Sequence, residues 1–69
     1  MSQYDLILKY LDDFGSISPM EAFRDLGITK LATRISELSR RGYRFKKSME
    51  TRKNRYGQDC RFMRYWRAA

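Results

Sequence analysis

The four glycines and the single proline of this 69-residue chain all fall between stretches of regular hydrophobic spacing, and that punctuation decides how the chain can be divided. Before Gly15, the residues Ile7, Tyr10, Leu11 and Phe14 stand at i, i+3, i+4 and i+7, with Ser2 and Asp5 as a cap pair. This spacing predicts a helix over about residues 3 to 14. Ser18-Pro19-Met20-Glu21 is a second start signal: Ser18 can accept from the third amide, Pro19 suits the first helical position and Glu21 reaches back to the cap. A short helix over about residues 19 to 26 follows, with Met20, Ala22, Phe23 and Leu26 as its apolar positions and Gly27 as its stop. Thr29 is the expected cap of a third helix over about residues 30 to 41, closed by Gly42. Ile28, Leu31, Ala32, Ile35 and Leu38 form its apolar stripe. The opposite face carries Thr29, Lys30, Thr33, Glu37, Arg40 and Arg41, with Arg34 and Ser36 on the flanks.

After Gly42 the period changes to two. Tyr43, Phe45 and Met49 share one parity, while Arg44, Lys46, Ser48 and Glu50 hold the other, which predicts a strand over about residues 43 to 51. Asn54-Arg55-Tyr56-Gly57 is a turn signal, and Cys60 to Trp66 returns as a second strand, so the wing-like hairpin spans about residues 43 to 67. In the return strand Cys60 and Phe62 have one parity and Met63 and Tyr65 the other. A bulge or a switch of faces near Phe62 is expected, and either set could be buried. Ser16-Ile17 can add a short strand against the hairpin. The reading is therefore an α+β single domain over residues 1–69: three helices followed by a two-stranded β-hairpin, with a helix-turn-helix in the second and third helices.

A chain of 8.3 kDa has room for one small core. A composition of 42% hydrophobic and 14% aromatic residues is rich enough to fold despite a net charge of +7. With one cysteine, Cys60, there is no intrachain disulfide. With no histidine, Cys/His zinc patterns and histidine-based triads are excluded, so no metal and no cofactor is expected. The carboxylates Glu37, Glu50 and Asp59 are scattered through the basic half rather than clustered for magnesium, and Cys60 lacks a histidine base, so the chain reads as not an enzyme and without a small-molecule substrate. Apolar runs fall far short of the roughly 20 residues of a membrane span, and Met1 to Leu11 has no signal-peptide character. The expected location is a reducing cytoplasm.

The charge is sharply divided. Residues 1 to 28 carry Lys9 and Arg24 against Asp5, Asp12, Asp13, Glu21 and Asp25, a net −3. Residues 29 to 69 carry 13 Lys and Arg against Glu37, Glu50 and Asp59, a net +10. A basic half of that strength suits a polyanion, and double-stranded DNA is the expected partner. Lys30, Thr33 and Arg40 point away from the apolar stripe and are candidates for base edges in a major groove, with Thr29 and Arg41 for phosphates. Arg34 is a further candidate, with a competing structural role as the i, i+3 partner of Glu37 or a partner of Asp25 or Glu21. Lys46, Lys47, Arg52, Lys53 and Arg55 cluster around the predicted hairpin tip, where they could follow the backbone or enter the minor groove. Tyr43 and Phe45 are expected in the core and Tyr56 exposed at the tip.

The run Gly15-Ser16-Ile17-Ser18-Pro19-Met20-Glu21-Ala22, then Leu26-Gly27-Ile28, Leu31-Ala32, Arg34-Ile35 and Glu37-Leu38 before Gly42, and later Asn54-Arg55-Tyr56-Gly57 and Arg64-Tyr65, resembles the small winged helix-turn-helix domain found in many bacteriophage and prophage proteins. The resemblance covers nearly the whole chain. The sequence departs from that pattern at Cys60, Trp66 and the Ala68-Ala69 tail. What the resemblance implies is a winged helix that binds DNA, with the third helix as the reading element, in a phage or prophage regulator or an accessory factor of recombination in a bacterial host. Two other readings fit the charge: RNA binding, or a protein-interaction module docking on an acidic phage or host protein. A weak homodimer is compatible with each.

Overall fold

A computed structural model of the chain describes residues 1–68; Ala69, the end of the tail singled out above, lies outside the described residues. The first helix, Gln3–Phe14 (α1), opens on a full capping box in which Ser2 Oγ accepts from the Asp5 amide and the Asp5 carboxylate accepts from the Ser2 amide. The second, Pro19–Leu26 (α2), repeats the device with Ser18 and Glu21. Both helices have the bounds expected from their caps. The third, Leu31–Arg40 (α3), is one residue shorter at each end than expected. Its N-cap is Lys30, and Thr29 does not cap it; no side chain among the described residues does.

The end of α3 explains why glycine stands at 42. The Tyr43 amide reaches back to the Leu38 carbonyl (3.2 Å) and the Gly42 amide to that of Ser39 (3.1 Å), a Schellman closure that needs the left-handed φ of +102° found at Gly42. The chain then reverses into the first strand, Phe45–Lys53 (β1), which pairs antiparallel with the second, Asp59–Arg67 (β2). Register runs unbroken from Phe45↔Arg67 to Lys53↔Asp59, so the bulge expected near Phe62 is absent among the described residues. Its premise fails for a physical reason. Ile17 exchanges two backbone hydrogen bonds with Tyr65 (3.0 and 2.9 Å), which fills the second edge of β2 at its base, and the strand there lies with one face on the core and the other against Ser16 and Glu21 at the start of α2. Tyr65 and Met63 face the core while Phe62, Arg64 and Trp66 are half-buried on the other side, so apolar residues on both parities need no irregularity.

The core is small: Ile7, Tyr10 and Leu11 of α1, Ile17, Ala22 of α2, Ile28, Leu31, Ile35 and Leu38 of α3 and its approach, and Tyr65, with Tyr43 and Phe45 packed on its edge. Several residues of the apolar stripes stay outside it. At about 100° per residue, Leu26 lies about 40° from the buried Ala22, Phe23 about 100° and Met20 about 160°. A helix of two turns can turn only one narrow side inward, and Met20 and Phe23 are 72% and 62% exposed. Phe14 points along the core stripe of α1 but sits in its last turn, past the packed body, and is 70% exposed with its ring against Tyr10. Ala32 lies about 100° from Leu31 and is likewise exposed rather than part of the stripe.

Candidate nucleic-acid interface

With Leu31, Ile35 and Leu38 turned inward, the opposite side of α3 is formed by Ala32, Thr33, Ser36 and Arg40, all exposed, with Thr29 and Lys30 exposed just before it. Three of the four helical positions are small. A helix with short side chains along its outer side and cations at its two ends can approach a grooved polyanion closely without steric obstruction. Ser39, next to this side, turns its hydroxyl back to the Ile35 carbonyl (3.0 Å).

Glu37 and Arg34 lie on the other flank of α3 and belong to the scaffold. Arg34 Nη1 donates to Glu37 Oε1 at 2.6 Å, and the same oxygen accepts from the Tyr4 hydroxyl at 2.9 Å, which joins α3 to α1. Glu37 is thus half-buried, not on the outer face. The alternative partners of Arg34 are engaged elsewhere: Asp25 with Arg24 and Tyr10, Glu21 with Arg64. Arg41 is exposed at the end of α3 with its guanidinium 4.5 Å from the centre of the Tyr4 ring.

The hairpin divides into an anchored base and a free outer half. Arg64 fixes the base: only 12% of its side chain is exposed, and it donates to Glu50 of β1 (2.7 Å), Glu21 of α2 (2.8 Å) and Ser16 (3.0 Å). Burial works against its charge, but the hydrogen bonds to Glu50 and Glu21 outweigh it and hold its pKa above the ordinary arginine value. Beyond Glu50 and Phe62 the ribbon is exposed on both faces. Its tip is ordered by Asn54, whose Oδ1 accepts from the amides of Tyr56 and Gln58, with Gly57 at φ +79° completing a three-residue loop. Arg55 and Tyr56, the latter 84% exposed, occupy that loop.

Register assigns the basic residues of the ribbon to sides. Lys46 and Arg52 share one face with Arg64; Lys47, Lys53 and Arg61 share the other. Lys53 is paired with Asp59 (2.9 Å), and the Arg52 guanidinium stands 6.0 Å from the Phe62 ring. The candidates named from sequence therefore fall into two groups: Thr29, Lys30, Thr33, Arg40 and Arg41 on and beside α3, and Arg52, Lys53 and Arg55 at the outer end of the ribbon; Lys46 and Lys47, expected around the tip, stand instead at its anchored base opposite Trp66 and Tyr65, because the strands run on to Lys53 and Asp59. Arg34 stands apart from both.

The sequence matches the family model described as winged helix-turn-helix domain over residues 2–66, which spans all three helices and nearly the whole hairpin. The chain belongs to this family. No curated protein and no solved structure matches it. In winged helix-turn-helix terms α2 and α3 are the helix-turn-helix and the β1–β2 hairpin is the wing, an architecture that binds DNA in general and is typically non-enzymatic. No helix among the described residues is long and apolar enough to cross a membrane.

The winged helix also exposes residues that reading by sequence left out of the site. Ser36 lies on the outer side of α3 and Ala32 on its exposed flank, about 140° and 100° from Leu31. Arg61 shares a ribbon face with Lys47, which only the strand register reveals.

Proposed function

We propose that this winged helix binds double-stranded DNA, with the outer side of α3 in the major groove and the basic wing along the backbone, and that it serves in a bacterial cytoplasm as a phage or prophage transcription regulator or a recombination accessory factor. The observation that carries the DNA reading is the outer side of α3, where Ala32, Thr33 and Ser36 lie exposed between Lys30 and Arg40. Short side chains let the helix axis come close to base edges, Thr33 and Ser36 can exchange hydrogen bonds there, Ala32 can meet a thymine methyl, and Arg40 can grip guanine or phosphate. Thr29, Lys30 and Arg41 contribute at the phosphates, and Lys46, Lys47, Arg52, Lys53 and Arg55 supply the salt-dependent, sequence-independent part of affinity. Arg34, committed to Glu37, acts by holding α3 on α1 rather than by touching DNA. The phage role is supported by the resemblance of the Gly15–Ala22 and Asn54–Gly57 runs to the phage and prophage domains.

The test is an amide chemical-shift titration of the labelled chain with a random duplex, repeated on a variant with Lys30, Thr33 and Arg40 changed to alanine. Shifts are expected on residues 29 to 41 and 52 to 57, weakened by the substitutions and by salt. Absence of shifts at low salt, or an equal response to structured RNA in competition, refutes duplex docking by α3.

A further inference from the structure

Two exposed apolar patches lie on opposite sides of α2, away from the outer side of α3, and their charges are opposite. One is a groove of about 580 Å³ between α2 and the wing, where Met20 and Phe23 face Cys60 and Phe62 of β2. Its cations are Arg24, Arg52, Arg61 and Arg64, against the single carboxylate of Glu21. The other lies between α1 and the end of α2, where Leu6, Tyr10 and the 70% exposed Phe14 are bordered by Asp13 and Asp25, with exposed ion pairs from Lys9 to Asp13 (3.3 Å) and from Arg24 to Asp25 (3.0 Å). Phenylalanine and methionine left in water, rimmed by arginine in one patch and by carboxylates in the other, are the composition of protein interfaces rather than of an inert surface. The core closes without Phe14, Met20 or Phe23, the most exposed apolar side chains of the two patches.

We propose that these patches are the two halves of one head-to-tail contact between copies of this chain: the Phe14 patch of one copy docks in the α2–wing groove of the next. Charge complementarity between the two patches supports this occupant: the arginines of the groove outnumber its one carboxylate, while the two carboxylates of the other patch outnumber its one lysine, so each copy presents both members of a complementary pair. Two different surfaces meeting in this way make a heterologous contact, which repeats from copy to copy instead of closing on itself as a two-fold dimer does. The overall charge of +7 opposes assembly of the free protein, so the contact is weak and strongest where that charge is compensated.

The test uses sedimentation equilibrium of this chain at moderate salt, which screens its net charge, and without nucleic acid, so that its outcome is independent of DNA binding. Wild type is expected to exceed the monomer mass with rising concentration. Phe14→Ser and Phe23→Ser, both at exposed positions, should each be monomeric alone. Their equimolar mixture should give a species of twice the monomer mass and no larger, since one intact contact remains. The charge-reversed variants Asp13→Arg and Arg52→Glu should each be monomeric alone and associate on mixing, here beyond the dimer because the two reversed surfaces also complement each other, which guards against an effect of either serine variant on folding. A wild type that stays monomeric overturns the proposal and leaves the patches to a different protein partner. A mixture that stays monomeric overturns it as well, since it indicates a symmetric contact or none.

Discussion

The wing's register leads to a prediction about salt. If one face of the ribbon lies along the duplex, the contacting cations are Lys30, Arg40 and Arg41 from α3, Arg55 at the tip, and one face pair, either Lys47 with Arg61 or Lys46 with Arg52. Allowing for imperfect reach, about five phosphates are neutralised, and the slope of log K against log salt is about −4.5. Raising salt from about 50 to about 200 mM then weakens binding about 500-fold. The double variants Lys47→Ala/Arg61→Ala and Lys46→Ala/Arg52→Ala divide the effect. Two contacts are worth about 1.8 in slope, and because the pairs point to opposite faces, the changes from the two variants should together total about 1.8 rather than about 3.6. Fluorescence anisotropy of a labelled random duplex across a salt series measures each slope, with Lys9→Ala on α1 as the control. Equal losses of about 1.8 from both double variants would refute a ribbon lying by one face, and a wild-type slope near zero would refute backbone binding altogether.

Replacing Arg64 by methionine leaves Glu21 and Glu50 together without their cation. Breaking a fully buried pair costs about 3–5 kcal/mol; with both carboxylates a quarter to a third exposed, about 2 kcal/mol is expected, a fall in Tm of about 10 °C by circular dichroism. The triple variant Arg64→Met/Glu21→Gln/Glu50→Gln should recover at least half of it, and no recovery would mean that the ion pairs are not the cause. Burial first, and then the hydrogen bond to Asp25, raise the pKa of Tyr10; Arg24 first, and then Tyr10, lower that of Asp25. The Tyr10 contribution to stability is therefore full below the ordinary tyrosine value of about 10 and lost as pH rises through the folded value; that of Asp25 is present above about 3.9 and lost as pH falls through its folded value. Asp25→Asn should bring the Tyr10 titration, followed by ring chemical shifts, back toward ordinary, and an unchanged titration would show that the contact has no weight. Ala32→Leu should leave thermal stability within about 0.5 kcal/mol because the site is exposed, yet weaken duplex binding about tenfold by holding α3 away from the groove; unchanged affinity would remove Ala32 from the interface.

Where local chemistry alone decides structure, the sequence was readable. Ser2, Ser18, Glu21, Gly15 and Gly27 delimit α1 and α2 through caps that act within a few residues, and Asn54 to Gly57 builds its turn in the same way. The start of α3 was less legible because its cap residue, Lys30, makes no side-chain bond that a motif could announce. The faces were harder still. Phe14, Met20 and Phe23 satisfy helical periodicity as well as Ile7 does, and a pattern does not record where the packed body ends. The β2 strand misled for the opposite reason: its base is covered on one face by the core and on the other by Ser16 and Glu21, a consequence of residues more than forty positions apart. Of the site, the outer side of α3 was legible by angle, whereas the commitment of Arg34 to Glu37 depends on Tyr4 of α1 presenting its hydroxyl to the same oxygen.

One carboxylate oxygen relates the two parts of the interface to each other. Glu21 Oε1 accepts from the Ser18 amide at 2.9 Å, closing the cap of α2, and from Arg64 Nη1 at 2.8 Å, holding the base of the wing. A two-stranded ribbon is marginal by itself, and the outer half of this one has water on both faces, so its direction is set where it is anchored. That anchor consists of the Ile17–Tyr65 bridge and Arg64, and both lead to the residues that start α2. Since α2 in turn packs on α3, an error in the Glu21–Arg64 contact would swing the basic ribbon relative to the reading helix without unfolding either. Phosphate contacts fix register on a duplex, and they can do so only if the wing and α3 keep one mutual geometry. Glu21 is thus a positioning residue: Glu21→Gln, which can still cap α2 through its amide oxygen, would separate the wing's direction from the stability of the helix.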